Sequence, residues 1–248
     1  MVQYVHLGKI GDSVFSLYAV MKHAEGNYYL QDDHHQGRWT TDILRDLAPL
    51  FEYQSYIHDV GFGFDPPEFD QHRFDFCPHM HDGGNPGSRH LVDAHLRTFL
   101  PHFAYTWDVD EKWLEAPRTK GVPIVCHLPV NRGERSRERW ANILSGLPYI
   151  ILTSRSEWES QAHRAFFDNH SLVRPDNFLD GADYVNSSKV FVGNVSCWNA
   201  IAEGLKVRRL VDVGSGAHNA IPMDPSGCQI QSFDDQFVRE LIEEAIDA

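Results

Sequence analysis

Cysteine, long apolar runs and positive charge are all scarce in this chain. Its 248 residues include four cysteines, and no two of them form a C-x-x-C pair. This argues against a disulfide framework and against a zinc knuckle. No apolar run approaches the roughly 20 residues of a membrane span, and the first residues lack the regions of a signal peptide. We therefore expect a soluble cytoplasmic protein with reduced thiols. The cysteines are Cys77, Cys126, Cys197 and Cys228.

The balance of charge is acidic, with a formal net charge of −13. Such a charge argues against broad attraction to nucleic acid or anionic lipid, although a local basic cluster can still serve one anionic ligand. The length and the 42% share of hydrophobic residues suit one large domain or two small ones.

Apolar runs typical of strands alternate along the chain with segments of helical apolar spacing. The predicted strands cover residues 4–7, 27–30, 56–57, 122–128, 149–152, 172–173, 190–192 and 210–213. The predicted helices cover residues 14–21, 43–51, 90–100, 137–144, 156–167, 177–185, 198–205 and 234–246. This alternation predicts parallel sheets covered by helices. Ala116–Gly121 has the composition of a linker. We therefore expect two α/β halves, residues 1–117 and 118–248, that face a cleft.

Three stretches interrupt this pattern and are candidates for binding. Residues 61–89 show no sustained period, as is typical of binding loops. Two turns, at residues 8–13 and 193–196, each join a predicted strand to a predicted helix. Backbone N–H groups and the positive end of a helix make such turns suitable seats for an anion. Most turns of this kind bind nothing, so on these residues alone a purely structural role stays open.

The two turns resemble motifs of one enzyme family. Residues 11–20, GDSVFSLYAV, resemble the G-D-x-x-x-x-x-P-A-L opening of the family 9 glycosyltransferases, which include the lipopolysaccharide heptosyltransferases. Residues 193–207 resemble that family's donor-site pattern, G-N-D-S-G-x-x-H-x-A-A-x-L-G-V. Arg139-Trp140 and Glu157 also match, so the similarities follow one another over nearly the whole chain. The resemblance implies a GT-B fold, in which two Rossmann-like α/β domains with mainly parallel sheets face a central cleft, in a compact member of bacteriophage type.

The resemblance also implies an activity. A hexosyl, heptosyl or pentosyl group would pass from a nucleotide-diphosphate sugar to an acceptor hydroxyl, with inversion and without a metal or other cofactor. Asp12 matches the family's candidate general base, and a carboxylate at a turn can take a proton from an attacking hydroxyl. The same residue is equally suited to cap the helix that follows. The acceptor would be a glycan, a lipid sugar or a modified DNA base, in a bacterial or phage-infected cell, and the sequence does not indicate an oligomeric state.

Donor binding requires groups that neutralise a diphosphate, and the acidic chain has one arginine cluster, at residues 132–139. Guanidinium groups match the geometry of phosphate oxygens. The interleaved Glu134 and Glu138 leave open that this cluster is a solvated helix face. With Glu157 and Glu203 as candidate ribose acceptors, the expected donor-binding residues are Asn131, Arg132, Arg135, Arg139, Glu157, Gly193, Asn194, Ser196 and Glu203.

The amino-terminal half would bind the acceptor. The expected acceptor-binding residues are Lys9, Gly11, Ser13, His79, His81, Asp82 and Asn85. The chain departs from the family pattern where Val195 replaces an acid, Ala200 a histidine and Lys206 a glycine. Two other classes therefore stay open: a non-catalytic nucleotide- or sugar-binding module, and a metal-dependent hydrolase that uses the histidines between His79 and His95.

Overall fold

The chain folds into two open sheets, each covered by helices. The computed structural model describes residues 2–6, 10–31, 41–63, 73–76, 90–99, 106–129, 134–213 and 220–248. The strands are β1 (Val2–His6), β2 (Gly26–Gln31), β3 (Ile57–Gly63), β4 (Arg73–Phe76), β5 (Ile124–His127), β6 (Tyr149–Leu152), β7 (Leu172–Val173), β8 (Val190–Asn194), β9 (Arg209–Asp212) and β10 (Gly227–Gln229). The helices are α1 (Ile10–His23), α2 (Thr41–Glu52), α3 (Leu91–Phe99), α4 (Glu134–Leu144), α5 (Arg155–Ser160), α6 (Phe178–Ser187), α7 (Cys197–Gly204) and α8 (Asp235–Asp247).

The amino-terminal sheet has four strands in the order β3-β2-β1-β4, and all of its pairings are parallel. The apolar residues of α1, among them Val14 and Leu17, are buried as their helical spacing predicts. α1 contacts α3, and α2 contacts β3. The carboxyl ends of parallel strands lie on the same side of a sheet. The connection from β1 to α1 is therefore on the side where β2 also ends.

The carboxyl-terminal sheet has six parallel strands in the order β10-β9-β8-β5-β6-β7. His127 pairs in register with Gly193, and Asn194 pairs with Asp212. The ends of β5, β8 and β9 therefore meet at one edge. Ligands of open parallel sheets bind at this kind of edge.

One apolar core extends through both halves. Buried residues of α1, such as Leu17, and of α7, such as Ile201, belong to the same cluster of contacting side chains. α1 contacts α7, and α2 contacts α6. The sheets lie on either side of residue 118, in agreement with the GT-B expectation of two α/β units, and they share buried surface.

The segment predicted as a linker, Ala116–Gly121, is bonded to its surroundings. The backbone N–H of Glu115, just before it, donates to Oε1 of Gln54 at 2.8 Å. The backbone N–H and the hydroxyl of Thr119 both donate to the carboxylate of Asp183, at 2.7 and 2.5 Å. The segment is therefore fastened to the amino-terminal half at one end and to the carboxyl-terminal half at the other, unlike a free linker.

Several element bounds differ from the predictions. α1 begins at Ile10, so residues 10–13 of the predicted turn are helical. β4 lies within the stretch predicted to lack regular structure, and β10 has no counterpart among the predicted strands. α5 ends at Ser160 because Gln161 adopts a left-handed conformation, with φ 56°. Within the described ranges, none of the helices is long and apolar enough to cross a membrane.

Candidate functional site

The amino ends of α1 and α7 meet where the two halves touch. A Cβ atom added to Gly11 would lie 3.7 Å from Cα of Cys197. Ser196 caps α7, and its Oγ accepts a hydrogen bond from the Asn199 N–H at 3.4 Å. The first N–H groups of a helix lack partners within the helix and give its amino end a positive potential. Two such ends converge on this junction, which suits it to a negatively charged ligand.

Asp12 lies in the first turn of α1, next to this junction. It is the third residue of the helix and is partly buried. The alternative in which Asp12 caps a helix starting at Val14 is therefore wrong, because the helix has begun two residues before Asp12. Ser13, a predicted acceptor contact, is buried, and its Oγ lies 2.9 Å from Nδ1 of His6. This contact ties the first turn of α1 to the end of β1.

Gly193 and Asn194 are the last two residues of β8, so the strand runs two residues further than predicted and the turn begins after Asn194. Gly193 has φ +144°, and a Cβ atom there would lie 2.1 Å from the carbonyl oxygen of His127, so a glycine is required. Oδ1 of Asn194 accepts from the Ser136 hydroxyl at 3.0 Å, and its Nδ2 donates to the Asp212 carbonyl at 3.4 Å. Asn194 thus joins three elements at the edge of the carboxyl-terminal sheet and is itself buried.

Glu157 has a different local role from the one its sequence suggests. The helix was predicted to begin at Ser156, whereas the structure begins it at Arg155, behind a capping box formed by Ser154 and Glu157. The Ser154 N–H donates to Oε2 of Glu157 at 2.8 Å, and the same oxygen lies 3.5 Å from Nε2 of His127. Burial alone would raise the pKa of Glu157, but His127 and the Ser154 N–H lower it to about 2. Glu157 is therefore held as a carboxylate beside the ends of β5 and β6.

The arginines of α4 do not form one phosphate-binding cluster. Arg139 donates to Oδ1 of Asp235 at 2.7 Å and to the Phe233 carbonyl at 2.8 Å, so its guanidinium joins α4 to the start of α8. Arg137 is buried, with its guanidinium 5.4 Å from the centre of the Phe166 ring. Arg135 is exposed. The donor-binding role expected of Arg139 needs this correction, because its charge is already matched within the protein.

Glu203 also needs a correction, because it lies in a buried ion cluster. Its side chain is fully buried, and its Oε2 lies 2.9 Å from Nη2 of Arg209. The same nitrogen lies 2.5 Å from Oδ2 of Asp224. Lys206 lies 3.2 Å from the same oxygen of Asp224. Burial raises the pKa of Glu203 despite these cations. With no exposed surface, Glu203 is not placed to meet a ribose hydroxyl.

Lys206, where the family pattern has glycine, adopts the left-handed conformation that glycine favours. Its φ is +57°, just after the end of α7. Its Nζ donates to the Val109 carbonyl at 2.6 Å and lies 4.6 Å from the centre of the Trp113 ring. Both contacts are with the segment 109–113, near the end of the amino-terminal half. Lys206 therefore fastens this segment to the ion cluster.

Val195 and Ala200, the other two departures from the family pattern, make apolar contacts. Val195 packs against a small group formed by Val211, Val213 and Ile221. Ala200 is fully buried in the core that the halves share. The acid of the family pattern is thus replaced by a partly buried apolar side chain, and the histidine by a fully buried one.

The histidines that would serve a hydrolase have separate environments where they are described. The His90 ring stacks on Trp107, with centroids 4.2 Å apart, and the His95 ring lies 5.8 Å from that of His6. No three His, Cys, Asp or Glu side chains in the described ranges form a group able to hold a metal ion. Seven predicted site residues lie outside the described residues: Lys9, Asn131, Arg132, His79, His81, Asp82 and Asn85.

Sequence inspection missed His127 and His163, which lie near Glu157. His127 ends β5, so its position at a strand end was the available signal. His163 is almost completely buried. Burial lowers the pKa of His163, whereas the charge of Glu157 opposes that shift. No spacing in the sequence relates His163 to Glu157, because the chain between them leaves the helix at Gln161.

Several glycosyltransferases of known structure have a similar architecture. A family 9 glycosyltransferase from Veillonella parvula matches with a TM-score of 0.64 at 10% identity, over 98% of this chain and 89% of its own. The ADP-heptose lipopolysaccharide heptosyltransferase II of E. coli matches with a TM-score of 0.65 at 11% identity, over 99% and 98%. The E. coli heptosyltransferase WaaC, solved with ADP-2-deoxy-2-fluoro heptose, matches with a TM-score of 0.61 at 10% identity, over 98% and 99%.

The similarity to these enzymes is found by comparing structures and not by comparing sequences. No protein-family model matches the chain, and no curated protein sequence matches it significantly. The likeness therefore concerns the arrangement of strands and helices over almost the full length of each chain. That arrangement is the GT-B fold of the family 9 glycosyltransferases.

Proposed function

We propose that this protein is a glycosyltransferase that moves a sugar from a nucleotide-diphosphate donor to an acceptor hydroxyl. The observation that supports this most directly is the junction of α1 and α7, where Gly11 approaches Cys197. It brings a carboxylate, Asp12, next to two converging helix amino ends. The transfer requires a base for the acceptor hydroxyl and positive potential for the departing diphosphate.

In this proposal Asp12 is the general base. It takes the proton of the acceptor hydroxyl as that oxygen attacks the anomeric carbon, and the carbon–oxygen bond to the diphosphate breaks on the opposite face. This single displacement inverts the anomeric configuration. The positive ends of the helices and the N–H groups near Ser196 stabilise the charge that develops on the diphosphate, without a metal cofactor.

The donor lies against the carboxyl-terminal half. Glu157 accepts hydrogen bonds from the ribose, and Arg135, which is exposed on the first turns of α4, supplies a cation. The acceptor lies against the amino-terminal half near Gly11, and a glycan, a lipid sugar or a modified DNA base each presents a suitable hydroxyl. ADP-heptose, named for the E. coli heptosyltransferase II, is the first donor to test.

The test is incubation with a panel of nucleotide sugars, with release of the nucleoside diphosphate as the measured product. We expect one donor to be hydrolysed slowly without an acceptor and faster with one, to give a product of inverted anomeric configuration, and to react equally well in a chelator. If no nucleotide is turned over but one binds, the protein is a binding module instead. Turnover that a chelator abolishes would favour the hydrolase.

Asp12→Asn separates catalysis from binding. The amide has nearly the same shape but cannot accept the proton, so we expect transfer to fall by at least about 100-fold while the donor affinity stays within about twofold. Asp42→Asn is the matched control, because Asp42 occupies the first turn of α2 and is exposed. Full activity of Asp12→Asn, or equal loss in both variants, would refute the assignment of the base.

A further inference from the structure

His127 and Glu157 form a polar contact between two different elements at the edge of the carboxyl-terminal sheet. His127 is the last residue of β5 and is only 4% exposed. Its Nε2 lies 3.5 Å from Oε2 of Glu157, which belongs to α5. The other ring nitrogen, Nδ1, is buried and has no hydrogen-bond partner in the part of the chain that the structure describes. The contact with Glu157 is thus the polar interaction that the structure gives this imidazole.

The carboxylate of Glu157 is held from two directions. The Ser154 N–H donates to Oε2 from within the capping box, at 2.8 Å. His127 approaches the same oxygen from β5. A capping box alone requires only the serine and the glutamate. The histidine therefore adds a constraint that helix capping does not need, on a carboxylate that stays ionised.

Glu157 also lies close to the junction of α1 and α7. Cys197 is the first residue of α7. The pKa of its thiol is raised to about 12, first by burial and second by the negative charge of Glu157. The backbone of His127 touches Gly193 at the same edge. The pair thus borders the proposed donor site.

We infer that His127 is a positioning residue that fixes Glu157 for recognition of the ribose diol of the donor, and so sets the preference for ribonucleotides over 2′-deoxyribonucleotides. This inference rests on the proposed function. A carboxylate accepts hydrogen bonds from two neighbouring hydroxyls only when its plane is held in one orientation. A nucleotide without the 2′-hydroxyl leaves part of the fixed carboxylate unsatisfied, and that loss is the source of discrimination.

The test compares the affinities of ADP, UDP and GDP with those of their 2′-deoxy forms, by calorimetry on the full chain. We expect the wild-type protein to bind its preferred ribonucleotide about tenfold or more tightly than the deoxy form, as a hydrogen bond to a charged group allows. In His127→Leu we expect this ratio to fall close to one, mainly through weaker binding of the ribonucleotide. In His127→Gln, whose amide nitrogen can reach the position of Nε2, we expect most of the ratio to return.

Two further variants keep the result interpretable. His58→Leu is the control, because His58 lies 3.4 Å from Glu25 in a similar but exposed pair in the other half, and it should leave the ratio unchanged. His127→Asn, too short to reach Glu157, replaces the leucine variant if that variant does not fold. An unchanged ratio in a folded His127 variant, or a wild-type protein that binds nucleotides without ribose preference, overturns this inference alone. Failure of all six nucleotides to bind overturns the proposed function with it.

Discussion

Substitution of Lys206 measures how much its contacts with the segment 109–113 contribute to stability. Replacement of Lys206 by glycine changes the free energy of unfolding in two opposite directions. Glycine relieves the left-handed backbone at φ +57°, which costs a residue with a Cβ atom about 1 kcal/mol. It also removes the hydrogen bond from Nζ to the Val109 carbonyl and the cation over the Trp113 ring. These contacts contribute about 1.5–3 and 0.5–2 kcal/mol respectively.

The balance is a net loss of stability. For Lys206→Gly we expect the free energy of unfolding to fall by about 1–4 kcal/mol from these two contacts and the backbone, and further from the lost ion pair with Asp224. Lys206→Ala loses the same contacts but keeps the strained backbone, so it should lose about 1 kcal/mol more. For a chain of this size, that difference corresponds to about 2–4 °C in Tm. Urea titration and calorimetry measure both quantities. Lys189→Ala, at an exposed lysine, is the control and should stay within about 0.5 kcal/mol of wild type.

The order of the two variants decides whether the reasoning is right. If alanine is tolerated as well as glycine, the left-handed conformation does not limit stability at this position. If both variants match the wild-type protein, the contacts with Val109 and Trp113 contribute nothing.

Two further predictions concern the strand end and the buried histidine. Gly193→Ala would bring a Cβ atom to 2.1 Å from the His127 carbonyl, so we expect a loss of at least about 3 kcal/mol in urea titration, and an alanine variant as stable as wild type would contradict the required close approach. His90 has a pKa lowered to about 3, by burial first and then by Arg209 and Lys206, so the unfolded chain binds the extra proton below pH 6.5. Stability from this group is therefore present above pH 6.5 and is lost as the pH falls towards 3, by up to about 3 kcal/mol at pH 4. His90→Phe should flatten that loss in unfolding titrations at pH 7 and pH 4, and an equally steep loss would assign it to other groups.

The alternation of strands and helices was predictable because burial imposes it locally. The apolar spacing of α1, for example at Val14 and Leu17, and the continuous apolar run of β8 follow from which faces contact the core. β10 was not predictable, since Gly227–Gln229 is only three residues long and is partly exposed. The GT-B expectation was confirmed by solved structures at 10–11% identity, for which the order of motifs was a better guide than the number of matching residues.

The site was predictable where the backbone conformation determines the residue type, and less so where it depends on contacts between side chains that are distant in the sequence. Gly193 was predicted from its place after an apolar run, and the structure shows why a glycine stands there, since a Cβ atom would meet the His127 carbonyl. The S-x-x-E pattern occurs twice in overlap, at Ser154 and at Ser156, and the sequence cannot show that His127 lies beside the first glutamate. Arg139 is likewise of a residue type that often binds phosphate. The sequence does not reveal its actual partner, Asp235, which is 96 residues away along the chain.

The core shared by α1 and α7 bears on how this protein unfolds. Leu17 and Ile201 lie in one apolar cluster although they belong to helices of different halves. Two domains joined by a free tether can melt one after the other, since little buried surface links them. Here, separation of the halves would expose the middle of the cluster to water, at about 25 cal/mol for each Å² of apolar surface. We therefore expect the halves to unfold as a single cooperative unit, so that a defect in either one weakens the other.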